Sequence, residues 1–229
     1  LGDVYKRQEV ARGLVCRDSQ GEYPSTVFPE PFGLAATFDT DVMKRMGEVT
    51  GVENRIYTQK GKSSLCVWGP TVDLERDPRW GRNEEAYGED PCLAGTMAAA
   101  YTSGMAGSDE KYMRVIPTLK HFYANNNENT RVNCNANVPT RLKHEYYLKA
   151  FEKPVRDGRA LSLMTSYNEV NGIEQLCSAE LQFAREQWGL LFAVTDGGDF
   201  VQNVQYHQSD RDHTEASVSY THLRAHETK

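Results

Sequence analysis

Residues 64–82 read SLCVWGPTVDLERDPRWGR, a short apolar run that stops at Gly69 and Pro70 and gives way to a loop dense in charge. The run has the length and composition of a buried strand, and the Gly-Pro pair is a strand terminator. The charges beyond it keep neither a helical nor a strand period, so they form a loop at the strand's C-terminal end. The same order recurs along the chain. RVIPTLKHF (114–122) runs directly into YANNNENTRVNCN, ALSLMTSYN (160–168) ends in polar residues, and LLFAVTDGGDF (190–200) ends at an acid.

Helical patterns lie between these runs. In residues 39–59, Val42, Met46, Val49, Val52 and Ile56 recur at near-helical spacing behind Asp39 or Thr40 as a cap. Pro91 to Ala106 is rich in Ala, Met and Leu and is broken by Gly107. Thr140 to Arg156 predicts one long helix with Leu142, Tyr146, Leu148, Phe151 and Val155 inward, and Leu181 to Trp188 a shorter one stopped by Gly189. Uninterrupted apolar strands alternating with helices predict an α/β chain with a parallel sheet. A closed barrel and an open doubly wound sheet both fit that alternation. Polar residues gather after every strand, and no GxGxxG or GxxxxGK[ST] turn occurs, which favours a partial (β/α)8 TIM-type barrel.

The chain has 229 residues, 39% of them apolar, and a net charge of -6, enough to bury a sizeable core. Acidic and basic residues are mixed, with no basic face for nucleic acid and no polybasic run for anionic lipid. No apolar run approaches the roughly 20 residues that cross a bilayer. Five cysteines without CxxC spacing read as free thiols, most simply small buried residues. Residues 1–8 (LGDVYKRQ) and 217–229 (SVSYTHLRAHETK) resemble translated sequencing-adapter read-through, so residues 9–216 are taken as the domain. His213, His222 and His226 lie in or beside that tail without companion ligands, and neither a metal nor another cofactor is expected. The true N-terminus is expected to be missing, which leaves localisation open; a periplasmic or secreted location is compatible.

Several strand-end residues have side chains suited to chemistry. Asp196, flanked by Gly197 and Gly198, reads either as a nucleophile or as an acid bonded to the next turn, with Asp199 as the next helix's cap. Lys120 and His121 read as a clamp for adjacent hydroxyls, or as a surface lysine beside a core histidine. Arg131 offers a planar fork; Met164 and Tyr167 fit either a pocket wall or ordinary packing. Together these residue types suit sugar recognition. Glycoside hydrolysis needs two carboxyl groups, of which Asp196 supplies one.

Taken in order, TVFPEPFGLAATFD, GPTVDLERDPRWGRNEEAYGEDP, TLKHF with NNNENTR, EYYLKAFEKPV, SLMTSYNEVNG and EQWGLLFAVTDGG resemble the N-terminal barrel domain of glycoside hydrolase family 3, over roughly residues 9–206. These are β-glucosidases, β-xylosidases and related exo-glycosidases. The resemblance implies that Asp196 is the nucleophile of a retaining reaction on an oligosaccharide or glycoside. It implies that Arg82, Lys120, His121 and Arg131 hold hydroxyls of the terminal sugar, and that Met164 and Tyr167 line the same subsite. Glu9, in EVARGL, resembles an early sugar-binding carboxylate. In the charged loop, Asp77, Arg79, Glu84, Glu85, Glu89 and Asp90 become supports that hold Arg82, packed down by Trp80 and Tyr87. Gly197 stands where the family often has Trp or Cys, and the loop after KHF lacks the glycine- and histidine-containing segment of the N-acetylglucosaminidase branch. Family members usually take their acid/base glutamate from a second, C-terminal α/β domain of the same chain. That implies a truncated piece, inactive alone. The competing expectation is a noncatalytic carbohydrate-binding or scaffolding relative.

Overall fold

The computed structural model describes residues 8–18, 21–207, 212 and 214–215. Apart from Gln8, the adapter-like ends lie outside the described residues, as do His213, His222 and His226. The strands are β1 (Gln8–Glu9), β2 (Val15–Asp18), β3 (Gly21–Tyr23), β4 (Cys66–Thr71), β5 (Ile116–Phe122), β6 (Asn135–Ala136), β7 (Ser162–Thr165), β8 (Glu169–Val170), β9 (Ile173–Glu174) and β10 (Phe192–Val194). The helices are α1 (Pro31–Ala35), α2 (Thr40–Gln59), α3 (Pro91–Ala106), α4 (Thr140–Leu142), α5 (Lys149–Arg156), α6 (Ala179–Trp188) and α7 (Asp199–Gln202).

The main sheet has the order β10-β7-β5-β4-β1-β2-β3, and its pairs from β1 to β10 are parallel. Each new parallel strand is therefore added on the same side of the last. A doubly wound sheet would reverse direction at a switch point; here the winding is that of a barrel. The helices follow suit, α2 packing on α3, α3 on α5 and α5 on α6. Among the described residues the sheet stays open, with β10 at one edge and the antiparallel β2–β3 ribbon at the other. That ribbon and the small sheet β6-β8-β9 have no counterpart in the sequence reading.

Local chemistry sets the helix boundaries. The Asp39 carboxylate accepts from Asp41 N and Val42 N at 3.0 and 2.9 Å and so caps α2. Asp90 caps α3 by accepting from Leu93 N at 2.6 Å, with Pro91 in the first turn. Gly189 closes α6 in the left-handed region at φ 84°.

Two helical expectations need correction. The inward face of α2 is Met43, Met46, Gly47, Thr50, Gly51 and Asn54, while Val49, Val52 and Ile56 are 40–44% exposed. The cause is the contact with α3. A Cβ on Gly47 would sit 2.1 Å from Tyr101 O, and one on Gly104 the same distance from Lys44 O. The two backbones touch, so the small residues face inward and Val49 and Val52 turn away. Thr140 to Arg156 is not one regular helix: Lys143–Tyr147 opens into a π-helical stretch, and Leu142 is 42% exposed. From that stretch the Tyr146 hydroxyl donates to Glu89 O at 2.9 Å, and the Tyr147 hydroxyl accepts from Arg76 Nη1 at 2.5 Å. The five cysteines are free thiols, but only Cys16 is fully buried and Cys92 is exposed.

Asp199 also departs from its expected role as a cap. It lies in the first turn of α7, 2% exposed, and its carboxylate turns back to β7, where Thr165 Oγ1 donates to Oδ2 at 2.6 Å. Burial pushes this carboxyl up to about 7; the Thr165 bond opposes the shift, and the nearby Asp196 and Glu174 add to it.

Gly47→Ala and Gly104→Ala should each cost about 1–3 kcal/mol through overpacking, although alanine is the better helix former. Urea midpoints that fall at constant slope would report this. The raised Asp199 carboxyl binds its proton more tightly folded than unfolded, so its contribution is full below about pH 4 and lost as pH rises through about 7. Asp199→Asn should therefore gain stability relative to the unaltered protein across that window. The gain should approach roughly 1.4 kcal/mol per pH unit where steepest, read as the difference between the two unfolding curves at each pH.

Candidate active site

The C-terminal ends of the parallel strands carry one connected polar cluster. Glu9 ends β1, and its carboxylate pairs with the Lys120 ammonium from β5, whose side chain is 4% exposed. An ammonium so buried needs an opposite charge in contact. Strand alternation alone would send Lys120 and His121 to opposite faces. The ladder between β5 and β7 slips between Leu119 and Phe122, and both side chains reach this cluster. Asp73, two residues beyond β4, lies under His121: Oδ2 is 3.1 Å from the His121 backbone N and 2.8 Å from Nδ1.

The charged loop after β4 delivers Arg82. Its Nε and Nη2 donate to the two oxygens of Glu85, both at 2.8 Å, a bidentate pair of fixed orientation. Its Nη1 is 3.3 Å from His121 Nε2 and 3.8 Å from Glu128 Oε1. Glu128 also accepts from Arg131 Nη1 at 3.2 Å and from Trp80 Nε1 at 3.4 Å. The Arg131 guanidinium lies over the Tyr167 ring, 5.2 Å from its centre, and the Tyr167 hydroxyl donates to Gly197 O at 2.6 Å. Asp196 follows β10. Its Oδ1 accepts from the adjoining Gly197 N at 2.6 Å, and its Oδ2 is 3.8 Å from His121 Nε2.

Contacts thus link His121, Arg82, Arg131, Tyr167 and Asp196, and the Glu9–Lys120 pair adjoins them through the Lys120–His121 peptide. Met164 is 1% exposed on β7, in register with Val194 two residues before Asp196. Asp73 had not been singled out in the sequence; an acid just past a strand end, ahead of the loop, was the available signal. Within the loop, Glu85 supports Arg82, whereas Asp77 and Arg79 pair with each other in solvent and Asp90 serves α3. Trp80 and Tyr87 are buried beneath it. A cleft of about 730 Å³ opens beside the cluster and shares Trp80, Glu128 and Arg131 with it. No group of three His, Cys, Asp or Glu side chains among the described residues forms a metal-holding set.

The electrostatics follow from burial and pairing. Burial pushes the His121 imidazole well below its usual range, and the Lys120 and Arg82 cations push it further, so the ring is neutral. Burial raises the Asp73 carboxyl to about 8, with Arg82 and the His121 backbone N–H pulling the other way. Burial also works against the charge on Glu85, but the bonds from Arg82 overcome it and hold the carboxyl below its usual range. The Tyr167 hydroxyl is raised by burial and by the adjacent Asp196. Glu9, Asp73, Glu85 and Glu128 are each held by a cation or the imidazole. Among the described residues no cation pairs with Asp196, and its side chain is 19% exposed. Such a group can act as a nucleophile while its neighbours present fixed donors and acceptors.

The sequence profile of the glycosyl hydrolase family 3 N-terminal domain matches residues 8–218. A probable β-glucosidase J of Emericella nidulans is 36% identical over 168 residues, covering 72% of this chain and 19% of that protein. A probable β-D-xylosidase 7 of Arabidopsis thaliana is 34% identical over 194 residues, covering 79% and 25%. The chain thus spans a quarter or less of the length of these curated relatives. Among solved structures, β-glucosidase 3B of Thermotoga neapolitana with bound glucose superposes with a TM-score of 0.72 at 30% identity, over 86% of this chain and 28% of that one. A family 3 exo-β-xylosidase with a xylobiose aziridine probe superposes with a TM-score of 0.87 over 94% of this chain and 30% of that one; at 23% identity it speaks for the fold. With its one-sided parallel winding, its polar strand ends and this match along nearly its whole length, the chain belongs to the N-terminal domain of glycosyl hydrolase family 3.

Proposed function

We propose that these residues form the sugar-binding half of the active site of a retaining exo-β-glycosidase that removes terminal non-reducing β-D-glucosyl or β-D-xylosyl units. The observation that carries this reading is Asp196. Among the described residues it is the carboxylate in the cluster without a cation of its own, set 3.8 Å from a neutral imidazole. In the first step an Asp196 oxygen attacks the anomeric carbon, the glycosidic C–O bond breaks, and the departing oxygen takes a proton from a general acid. In the second, water attacks the same carbon, gives up its proton to that residue, now a base, and releases the aspartate.

Arg82, Lys120, His121 and Arg131 hold the hydroxyls of the sugar, Glu9 joins them through Lys120, and Met164 and Tyr167 wall the same subsite. The other carboxylates of the cluster are bound to cations or to His121, which supports an acid/base residue from outside the described chain, in a C-terminal α/β domain of a longer protein. The share of the curated relatives' length that this chain spans supports the same reading. By itself the 229-residue chain is then inactive.

The test uses the longer protein with an aryl glucoside and an aryl xyloside whose phenol leaves readily, so that little help from the acid is needed. Asp196→Asn should lower kcat by roughly 10³-fold or more. Activity unchanged by that substitution would sink the assignment. An unaltered protein that binds glucose or xylose but turns over neither glycoside would instead make it a noncatalytic carbohydrate binder.

A further inference from the structure

The nucleophile reading leaves Asp73 without a role, although it is 3% exposed and its Oδ2 meets both the backbone N and the Nδ1 of His121. We infer that Asp73 is a positioning residue: it locks His121 as the tautomer protonated on Nδ1, so that the nitrogen facing Asp196 carries a lone pair and no proton. The inference rests on the proposed role of Asp196 for its catalytic meaning, but not for the tautomer itself.

Two partners agree on where the proton sits, and the Asp73 contact is the shorter of the two. An arginine guanidinium can only donate, so the 3.3 Å contact from Arg82 Nη1 makes His121 Nε2 an acceptor. A neutral imidazole that accepts at Nε2 must donate at Nδ1, where Asp73 Oδ2 waits at 2.8 Å. That oxygen also receives the His121 backbone N–H at 3.1 Å, which fixes it as an acceptor whether or not the other Asp73 oxygen carries a proton. Arg82 is held in place from behind by its two bonds to Glu85.

The opposite tautomer would have two consequences. A proton on Nε2 would confront the Arg82 donor, and it would offer Asp196 Oδ2, now 3.8 Å away, a hydrogen bond that damps its nucleophilicity. Asp73 therefore protects the reacting carboxylate without touching the sugar.

Two substitutions of similar volume separate this role from simple packing. In Asp73→Asn the backbone N–H of His121 keeps the amide oxygen on the imidazole side, so the acceptor survives. In Asp73→Leu it is lost. Nitrogen NMR of isotope-labelled histidine in the longer enzyme, with the His121 signal assigned by its absence in His121→Gln, reads the tautomer directly. Nδ1–H is expected in the unaltered enzyme and in the asparagine variant; in the leucine variant Arg82 Nη1 turns to Glu128 Oε1, 3.8 Å from it, and Nε2–H is expected. The leucine variant should lose about 10–100-fold in kcat with little change in KM, the scale for outer partners that orient a metal-site histidine, and the asparagine variant should retain most activity. An Nε2 proton in the unaltered enzyme overturns the inference, as does a leucine variant matching the asparagine one in tautomer or in kcat. If the leucine variant does not fold, the tautomer of the unaltered enzyme decides alone. Asp196→Asn run alongside distinguishes the two readings: full activity there removes the nucleophile and leaves the His121 tautomer as measured.

Discussion

A lysine ammonium is held almost out of solvent at the end of β5 and an arginine guanidinium is partly buried in the loop after β4, and each has a carboxylate in contact. The compensating acids come from different parts of the chain. Glu9 arrives on β1 for Lys120 and Glu85 from the loop after β4 for Arg82, while Asp73, from the start of that loop, bonds the neutral imidazole of His121. Satisfying these groups together fixes the ends of β1, β4 and β5 relative to one another, beyond what their backbone ladders specify. The charged loop thus sends Asp73 and Glu85 into the site, while Arg76, Arg79 and Glu84 stay exposed.

The parallel winding makes this possible. Every strand in the β1-to-β10 series points its C-terminal end the same way, so polar residues that follow apolar runs in the sequence gather in one place. The apolar core lies beneath them, with Val67, Leu119, Leu163 and Ala193 contributed by successive strands and each 1% exposed or less. Packing fixes the strands, and pairing then fixes the side chains that project beyond them.

Much of this was legible in the sequence, because the signals were local. Apolar runs ending at Gly69-Pro70 or at Asp196, the cap Asp39, the helix start at Pro91 and the stop at Gly189 each depend on a few neighbouring residues. What escaped depended on partners distant in sequence. The buried face of α2 could not be read from its valines, because Gly47 and Gly104 allow a backbone contact that no periodicity records. The convergence of Lys120 and His121 on one cluster needed a slip in the ladder with β7. Asp73 looked like one more charge in a charged loop, and its meaning lies in an imidazole 48 residues away. Asp199 looked like a cap and instead bonds to β7, 34 residues back.

The Glu9–Lys120 pair spans 111 residues. Closing so long a loop is slow relative to forming helices and neighbouring-strand contacts, and its entropy must be met before the contact returns anything. During folding the lysine therefore waits, its charge kept in water, while α2, α3 and the strands they flank come together. The interior around Lys120 can dry only when β1 is seated, which makes desolvation of the floor of the polar cluster a late event and ties it to Glu9.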